Sequence, residues 1–337
     1  MTAFFIKLLN WIYSVVGNYG WSIVLFTLLI RMVLLPLDIK SKKSMRAMTK
    51  IQPKVQALQK KYANDKEKLN QKTMELYRKE HVSPAAGCLP MLISLPILWI
   101  MFTAMRTVGN EHTVQMLLDM KESGQALTIS GLRDAGYSWL WIKNVFQPDS
   151  FAATILPAFK STLSTIAKSG SSEILTEANI NIVREFLSSD QYYNLAANLA
   201  PGSAFHVAGF DFLLFHKFLM PNSFSDLFQY SNGLFILPLL AGGSQLLMST
   251  LMNGKKTEEQ KEMEAAQKSQ SNPMNSPIMK WFFPLFSVWI CATSNAAFSI
   301  YWMAANVIQI VQQLAVTWYF DRQDAKAAEA AENGIIE

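Results

Sequence analysis

Apolar positions in this chain follow two patterns: long unbroken runs, and stretches where they recur every third or fourth residue. In residues 1–18 Phe4, Phe5, Leu8, Leu9, Ile12, Val15 and Val16 share one helical face, with Lys7, Asn10 and Ser14 elsewhere. This predicts an amphipathic helix lying in a membrane surface. The rival reading, a secretory signal, has only a poor cleavage-like site at Val15-Val16-Gly17, so retention is expected. Five apolar runs follow at 21–37, 87–103, 233–251, 278–293 and 296–320, the last two joined by a turn at Ser294-Asn295. Each reads as a transmembrane helix. The first and fourth, of 17 and 16 residues, reach about 25 Å, short of a hydrocarbon core of about 30 Å, which implies local bilayer thinning.

Residues 41–83 repeat at the helical period without becoming a span. Met45, Met48, Gln52, Val55, Leu58 and Tyr62 precede a turn at Ala63-Asn64-Asp65, and Leu69, Thr73, Leu76 and Tyr77 resume before Ser83-Pro84. The pattern predicts a helical hairpin with a narrow apolar seam, either a rigid connector or a docking surface. Farther on, 172–188 reads as an amphipathic helix and the aromatic-rich 205–220 as a segment resting on the membrane surface. The run 151–166 is polar in its second half and carries Lys160. It is read as packed on the protein or interfacial, since a sixth crossing would invert everything downstream.

The fold class expected is an all-α integral membrane protein with five transmembrane helices, a cytoplasmic helical hairpin and an N-terminal interfacial helix. Its divisions are 1–18 interfacial helix, 19–40 first span, 41–83 hairpin, 84–106 second span and 107–232 extracytoplasmic loop. They continue with 233–252 third span, 253–277 cytoplasmic loop, 278–320 fourth and fifth spans, and 321–337 cytoplasmic tail.

Composition agrees: half the residues are apolar and 16% charged. From 40 to 83 there are 13 Lys/Arg against 4 Asp/Glu; from 107 to 232 there are 7 against 11. A nucleic-acid binder could own the first stretch, but with apolar runs on both sides the positive-inside rule is the simpler cause, so no DNA partner is expected. The N-terminus is then outside, the C-terminus cytoplasmic, and the protein multi-pass in the cell membrane. Cys88 and Cys291 suggest neither disulfide nor metal site, and His81, His112, His206 and His216 have no ligand spacing. No GxGxxG, Walker-type loop or GxSxG occurs, so no enzyme, catalytic residue, cofactor or metal is expected.

The chemistry lies in polar groups inside the runs: Thr27 and Arg31, Ser94, Ser244 and Gln245, Ser287, then Asn306, Gln309, Gln312 and Gln313. Any single Ser or Gln is read first as an interhelical hydrogen bond. Arg31 costs about 2.5–3.5 kcal/mol at a span centre; the plain reading gives it a buried partner such as a Gln or a backbone carbonyl, but no other run offers a central acid, so a hydrated cavity with Arg31 on its wall is inferred. Thr27, four residues earlier, shares its face. A carboxylate at 4 Å would gain about 1 kcal/mol in water and about 4 kcal/mol at an effective dielectric of 20, comparable to the cost of carrying one Asp or Glu inward. An anionic small molecule would gain as much, so an anion transporter or channel is the alternative.

Several motifs occur in one order. Leu29-Ile30-Arg31 with Leu35-Pro36-Leu37 and Ile51-Gln52-Pro53-Lys54 come first, then DKEKLNQKTMELYRKEHVSPAAGCLPMLISLP over 65–96. Trp141-Ile142-Lys143 with Gln147-Pro148-Asp149, Phe235-Ile236-Leu237-Pro238 and Ile300-Tyr301-Trp302 follow. In these the chain resembles the YidC membrane protein insertase family over 20–106, 139–157 and 233–320. The resemblance implies a five-span core with a hydrophilic groove open to cytoplasm and lipid but closed outward. Arg31 matches the groove arginine, and Gln245 and Trp302 match groove-lining positions of the third and fifth spans. With Thr27 and Asn306 these form the expected client-binding set. The implied activity is insertion of small membrane proteins, alone or beside the Sec channel, without ATP or a covalent intermediate. Implied partners are newly made membrane proteins and the lipid bilayer, with the Sec translocon and the ribosome as candidates through the 41–83 hairpin. Two features depart from the family. The tail 321–337 has two basic and five acidic residues, so a ribosome role is not carried over to it. Seventy-eight residues separate Ile-Leu-Pro at 155–157 from its recurrence at 236–238. That insert is too small for the outer domain of Gram-negative members, so a Gram-positive type is expected.

Overall fold

The computed structural model describes residues 2–82, 89–157, 163, 166, 172–199, 201, 204–208, 218–253 and 277–332. The chain is mostly helical: α1 (Thr2–Val16), α2 (Tyr19–Lys61), α3 (Lys66–Lys79), α4 (Leu89–Ser123), α5 (Ile129–Asp134), α6 (Glu177–Leu187) and α7 (Asp190–Ala196), then strands β1 (Phe205–Ala208) and β2 (Phe218–Pro221), then α8 (Phe224–Tyr230), α9 (Ile236–Asn253), α10 (Pro277–Thr293) and α11 (Ala296–Glu332). Among the described residues one helical stretch, Tyr19–Met48, is long and apolar enough to cross a membrane; apolar helices at Thr2–Val16, Ile236–Leu251 and Trp281–Thr293 are shorter. The strands correct the all-α expectation. They pair antiparallel, His206 opposite Met220, within the segment read as surface-resting. The intervening 209–217, the loop 254–276 and Cys88 lie outside the described residues.

The helices belong to two compact units, Met1–Leu28 with Met101–Val307 and Leu29–Ile100 with Ile308–Glu337. In the first, α1 turns Leu9 and Ile12 inward and sets the Phe5 ring edge-on against Phe26, while Phe4, Trp11 and Val15 stay exposed. The apolar face of α1 is thus shared between protein and surroundings. Helix α4 runs on to Ser123 because its distal part has a face to bury: Val114, Leu117 and Met120 join Leu132, Val183, Phe186 and Leu187 in one core. Thr176 caps α6, accepting from the Asn179 amide at 3.2 Å. Ile155 and Leu156 are buried in the same core, so the described part of 151–166 packs on protein; 158–162 and 164–165 lie outside the described residues.

In the second unit α2 continues through Pro36 and Pro53 for part of its 43 residues. Asp65 caps α3 by accepting from the Lys68 amide at 3.0 Å, where the sequence places the hairpin turn. Lys54 reaches Glu80 at 2.6 Å. The described part of the acidic tail continues α11: Asp321 and Asp324 pair with Arg46, and Asp324 with Lys50 at 3.2 Å.

Candidate functional site

In the second unit a guanidinium N–H of Arg31 donates to Gln309 Oε1 at 3.1 Å, and Gln312 Nε2 donates to the Arg31 carbonyl at 3.3 Å. Spaced by three on α11, the two glutamines share a face and hold one residue from both ends. Gln309 satisfies a donor without cancelling charge. The ion pairs among the described residues involve Arg46, Lys50, Lys54 and Lys72, and none involves Arg31. Gln312 Oε1 is buried with no hydrogen-bond partner among the described residues. Such orphans are rare in folded proteins.

The other four expected site residues belong to the first unit. Thr27 is buried and its hydroxyl donates to the Ile23 carbonyl of its own helix at 2.6 Å. Asn306 donates to Ser244 Oγ at 3.0 Å, and Ser244 in turn donates to the Ala241 carbonyl at 2.9 Å. Gln245 and Trp302 are half-buried. The Trp302 ring lies 5.6 Å from that of Phe298, and its Nε1 is a second buried atom with no partner among the described residues. The structure therefore joins Asn306 to Ser244 and Arg31 to Gln309 and Gln312. Gln309, Gln312 and Ser244, named among the polar groups of the runs, were absent from the expected set, although Gln309 follows Asn306 by three, a helical spacing that could have marked it.

The motifs between 139 and 157 build a polar knot in the first unit. Asp149 is fully buried. Its Oδ1 accepts from the amides of Leu234 at 2.9 Å and Phe235 at 3.2 Å, and its Oδ2 accepts from Leu237 at 2.7 Å. The Trp141 indole donates to both oxygens at 3.3 Å. These amides are the orphan donors that open α9. Gly233 must lack a side chain, because a Cβ there would lie 2.0 Å from Asp149 Oδ1. Asn232 and Asn144 lock the same junction through Asn144 N–H to Asn232 Oδ1 at 2.8 Å and Asn232 Nδ2 to the Asn144 carbonyl at 2.9 Å. The carbonyls of Gln147 and Val145 accept from Ala296 and Ala297 at the start of α11. One loop thus caps two helices.

Beside the knot, His112 on α4 stacks on Phe146 at 4.8 Å, and its two ring nitrogens face the hydroxyls of Tyr19 and Tyr137. Neutral imidazole matches this with one donor and one acceptor. Burial holds the ring down from 6.5 to about 4. Unfolded, it takes up its proton near 6.5; folded, only near 4, so the unfolded chain holds more protons in between. Stability should therefore fall as pH drops through that window, by at most on the order of 3 kcal/mol. In thermal melts His112→Gln should flatten this dependence; equal acid slopes in both proteins would assign it to another group.

The 60Kd inner membrane protein family matches the chain over residues 11–323. Similar curated proteins carry the name membrane protein insertase YidC. One from Fusobacterium nucleatum is 40% identical over 164 residues, 49% of this chain and 67% of that protein. One from Caldanaerobacter subterraneus subsp. tengcongensis is 50% identical over 111 residues, 33% of this chain and 54% of that protein. One from Legionella pneumophila is 50% identical over 97 residues, 29% and 17% respectively. Of the latter two the chain covers less than two thirds.

Proposed function

The chain belongs to the 60Kd inner membrane protein family, and from that premise we propose that it is an insertase for small membrane proteins, working in the cell membrane without ATP or covalent catalysis. The proposed topology has five crossings, with the N-terminus outside and the hairpin, the 253–277 loop and the tail in the cytoplasm, as the charge asymmetry between 40–83 and 107–232 favours. Clients are newly made membrane proteins, and the hairpin is the candidate contact for the Sec translocon or ribosome. The proposed client-binding residues are Arg31, Thr27, Gln245, Trp302 and Asn306.

The observation that carries this reading is the neutral partner of Arg31. Held by Gln309 and in no ion pair among the described residues, the guanidinium shares its field with Asp38, two turns along the same helix, and keeps the remainder for a client. At an effective dielectric of 20 a client carboxylate 4 Å away gains about 4 kcal/mol, which roughly offsets its transfer cost of about 2.5–3.5 kcal/mol. An acidic tail is then drawn in, and the apolar span that follows leaves sideways into lipid.

The test uses purified protein in tight liposomes and single-span reporters with acidic or neutral N-terminal tails, scored by protection of the tail from external protease. Arg31→Ala should lose mainly the acidic-tailed reporter, and Arg31→Lys should retain much of it. Equal insertion of both tails by wild type and Arg31→Ala would remove the electrostatic role. Failure of the folded wild type to protect either tail would remove autonomous insertion.

A further inference from the structure

The first unit exposes apolar side chains that its core does not use. On α8 Phe224 and Phe228 lie one turn apart with ring centroids 4.9 Å apart, edge to face, yet they are 79% and 52% exposed. At the start of the same helix Ser223 Oγ accepts from the Asp226 amide at 3.1 Å and donates to the Asp226 carboxylate at 2.6 Å. At the far end the Lys143 ammonium donates to the carbonyls of Phe228 and Ser231 at 2.6 and 2.7 Å, complementing the helix C-terminus. Leu140 is 63% exposed at the tip of the turn closed by the Trp139–Ile142 bridge. Its φ of 50° is a left-handed conformation that leucine rarely takes and that glycine or asparagine would take readily. An apolar side chain is therefore displayed at a strained position.

Short contacts set the level of these groups. Trp139 packs edge-on against Trp21, in the first turn of α2, with centroids 5.5 Å apart. Asp149 holds the amides that open α9, and Lys143, six residues earlier, holds the end of α8. The start of two apolar helices and the end of α8 are thus tied to one loop. Beyond that level α9 shows Leu239, Leu240 and Leu247 to the outside. Helix α8 ends at Tyr230 and α9 begins at Ile236, so the exposed rings stand close in the chain to the start of that face. Single exposed apolar residues are ordinary, but aromatic rings gathered where apolar helices start are what a water–lipid boundary favours.

We propose that α8 and the Trp139–Ile142 turn form an anchor in the outer leaflet, with Phe224, Phe228 and Leu140 seated at the headgroup–acyl boundary. The anchor holds the outer segment at a fixed height over the bilayer. It rests on the topology proposed above and is independent of any client.

The experiment places one spin label at a time through Phe224→Cys, Phe228→Cys, Ser225→Cys or Leu239→Cys, in a chain carrying Cys88→Ser and Cys291→Ala. The protein is reconstituted in phosphatidylethanolamine–phosphatidylglycerol vesicles. Collision with oxygen, which partitions into lipid, is compared with collision with a water-soluble nickel chelate. The oxygen-to-nickel ratio at 224 and 228 is expected to be several-fold above that at 225, with 239 higher still. If 224 and 228 match 225 while 239 reads as lipid, the anchor is wrong and the topology stands. If 239 also reads as aqueous, the topology is wrong and the anchor falls with it.

Discussion

Asp149→Ala is expected to cost on the order of 3–5 kcal/mol of stability, since several buried donors lose their shared acceptor at about 1–3 kcal/mol for each left unsatisfied. The carboxyl is fully buried and takes three backbone amides and the Trp141 indole. Alanine leaves those donors without an acceptor at the positive end of α9, where water cannot readily replace it. Asp149→Asn keeps the shape and one acceptor oxygen but turns an amide N–H₂ toward backbone N–H groups, so it should recover only part of the loss. Gly233→Ala should destabilise by the same route, its methyl displacing the Asp149 carboxyl. Thermal unfolding in nanodiscs measures all three. A melting point for Asp149→Ala within error of wild type would mean that α9 starts without this cap.

The second large effect is on activity. Gln309→Glu places a carboxylate about where the amide oxygen now meets Arg31 at 3.1 Å. The guanidinium then has a resident counter-charge. A client acid meets a neutral pair and forfeits about 2–4 kcal/mol, roughly thirty- to a thousand-fold in the rate of acidic-tail insertion. Neutral-tailed reporters should change little. Gln309→Met removes the hydrogen bond but leaves the charge, so it should retain most acidic-tail insertion. This contrast separates the field of Arg31 from its positioning. If Glu and Met behave alike, the neutrality of position 309 is irrelevant and Gln309 acts through packing alone.

Much was legible in the chain because it depends on residue type and local spacing. The turn at Ala63-Asn64-Asp65 is written locally, with an Asp cap and helical seams on either side. The distal part of α4 was not legible. Its apolar residues alternate with Asn110, Glu111, Gln115 and Asp119, and they read as loop because the core that covers them comes from 132 and from 155–199. The β1–β2 pair likewise needs a partner strand that aromatic content cannot announce.

By itself the sequence determined the family, the mostly helical character, and the separation of basic from apolar segments. Those properties are carried by motif order, composition and a repeat of three to four residues. Only the tertiary structure decided what each isolated polar group meets. Arg31 finds Gln309 across 278 positions, and Asp149 finds the start of α9 across 88. A hydrogen bond is short and directional, while the loops that bring its partners together are long and leave no local periodicity to read. Until the helices pack, many groups could satisfy either one; once they pack, geometry selects Gln309 for Arg31 and the start of α9 with the Trp141 indole for Asp149.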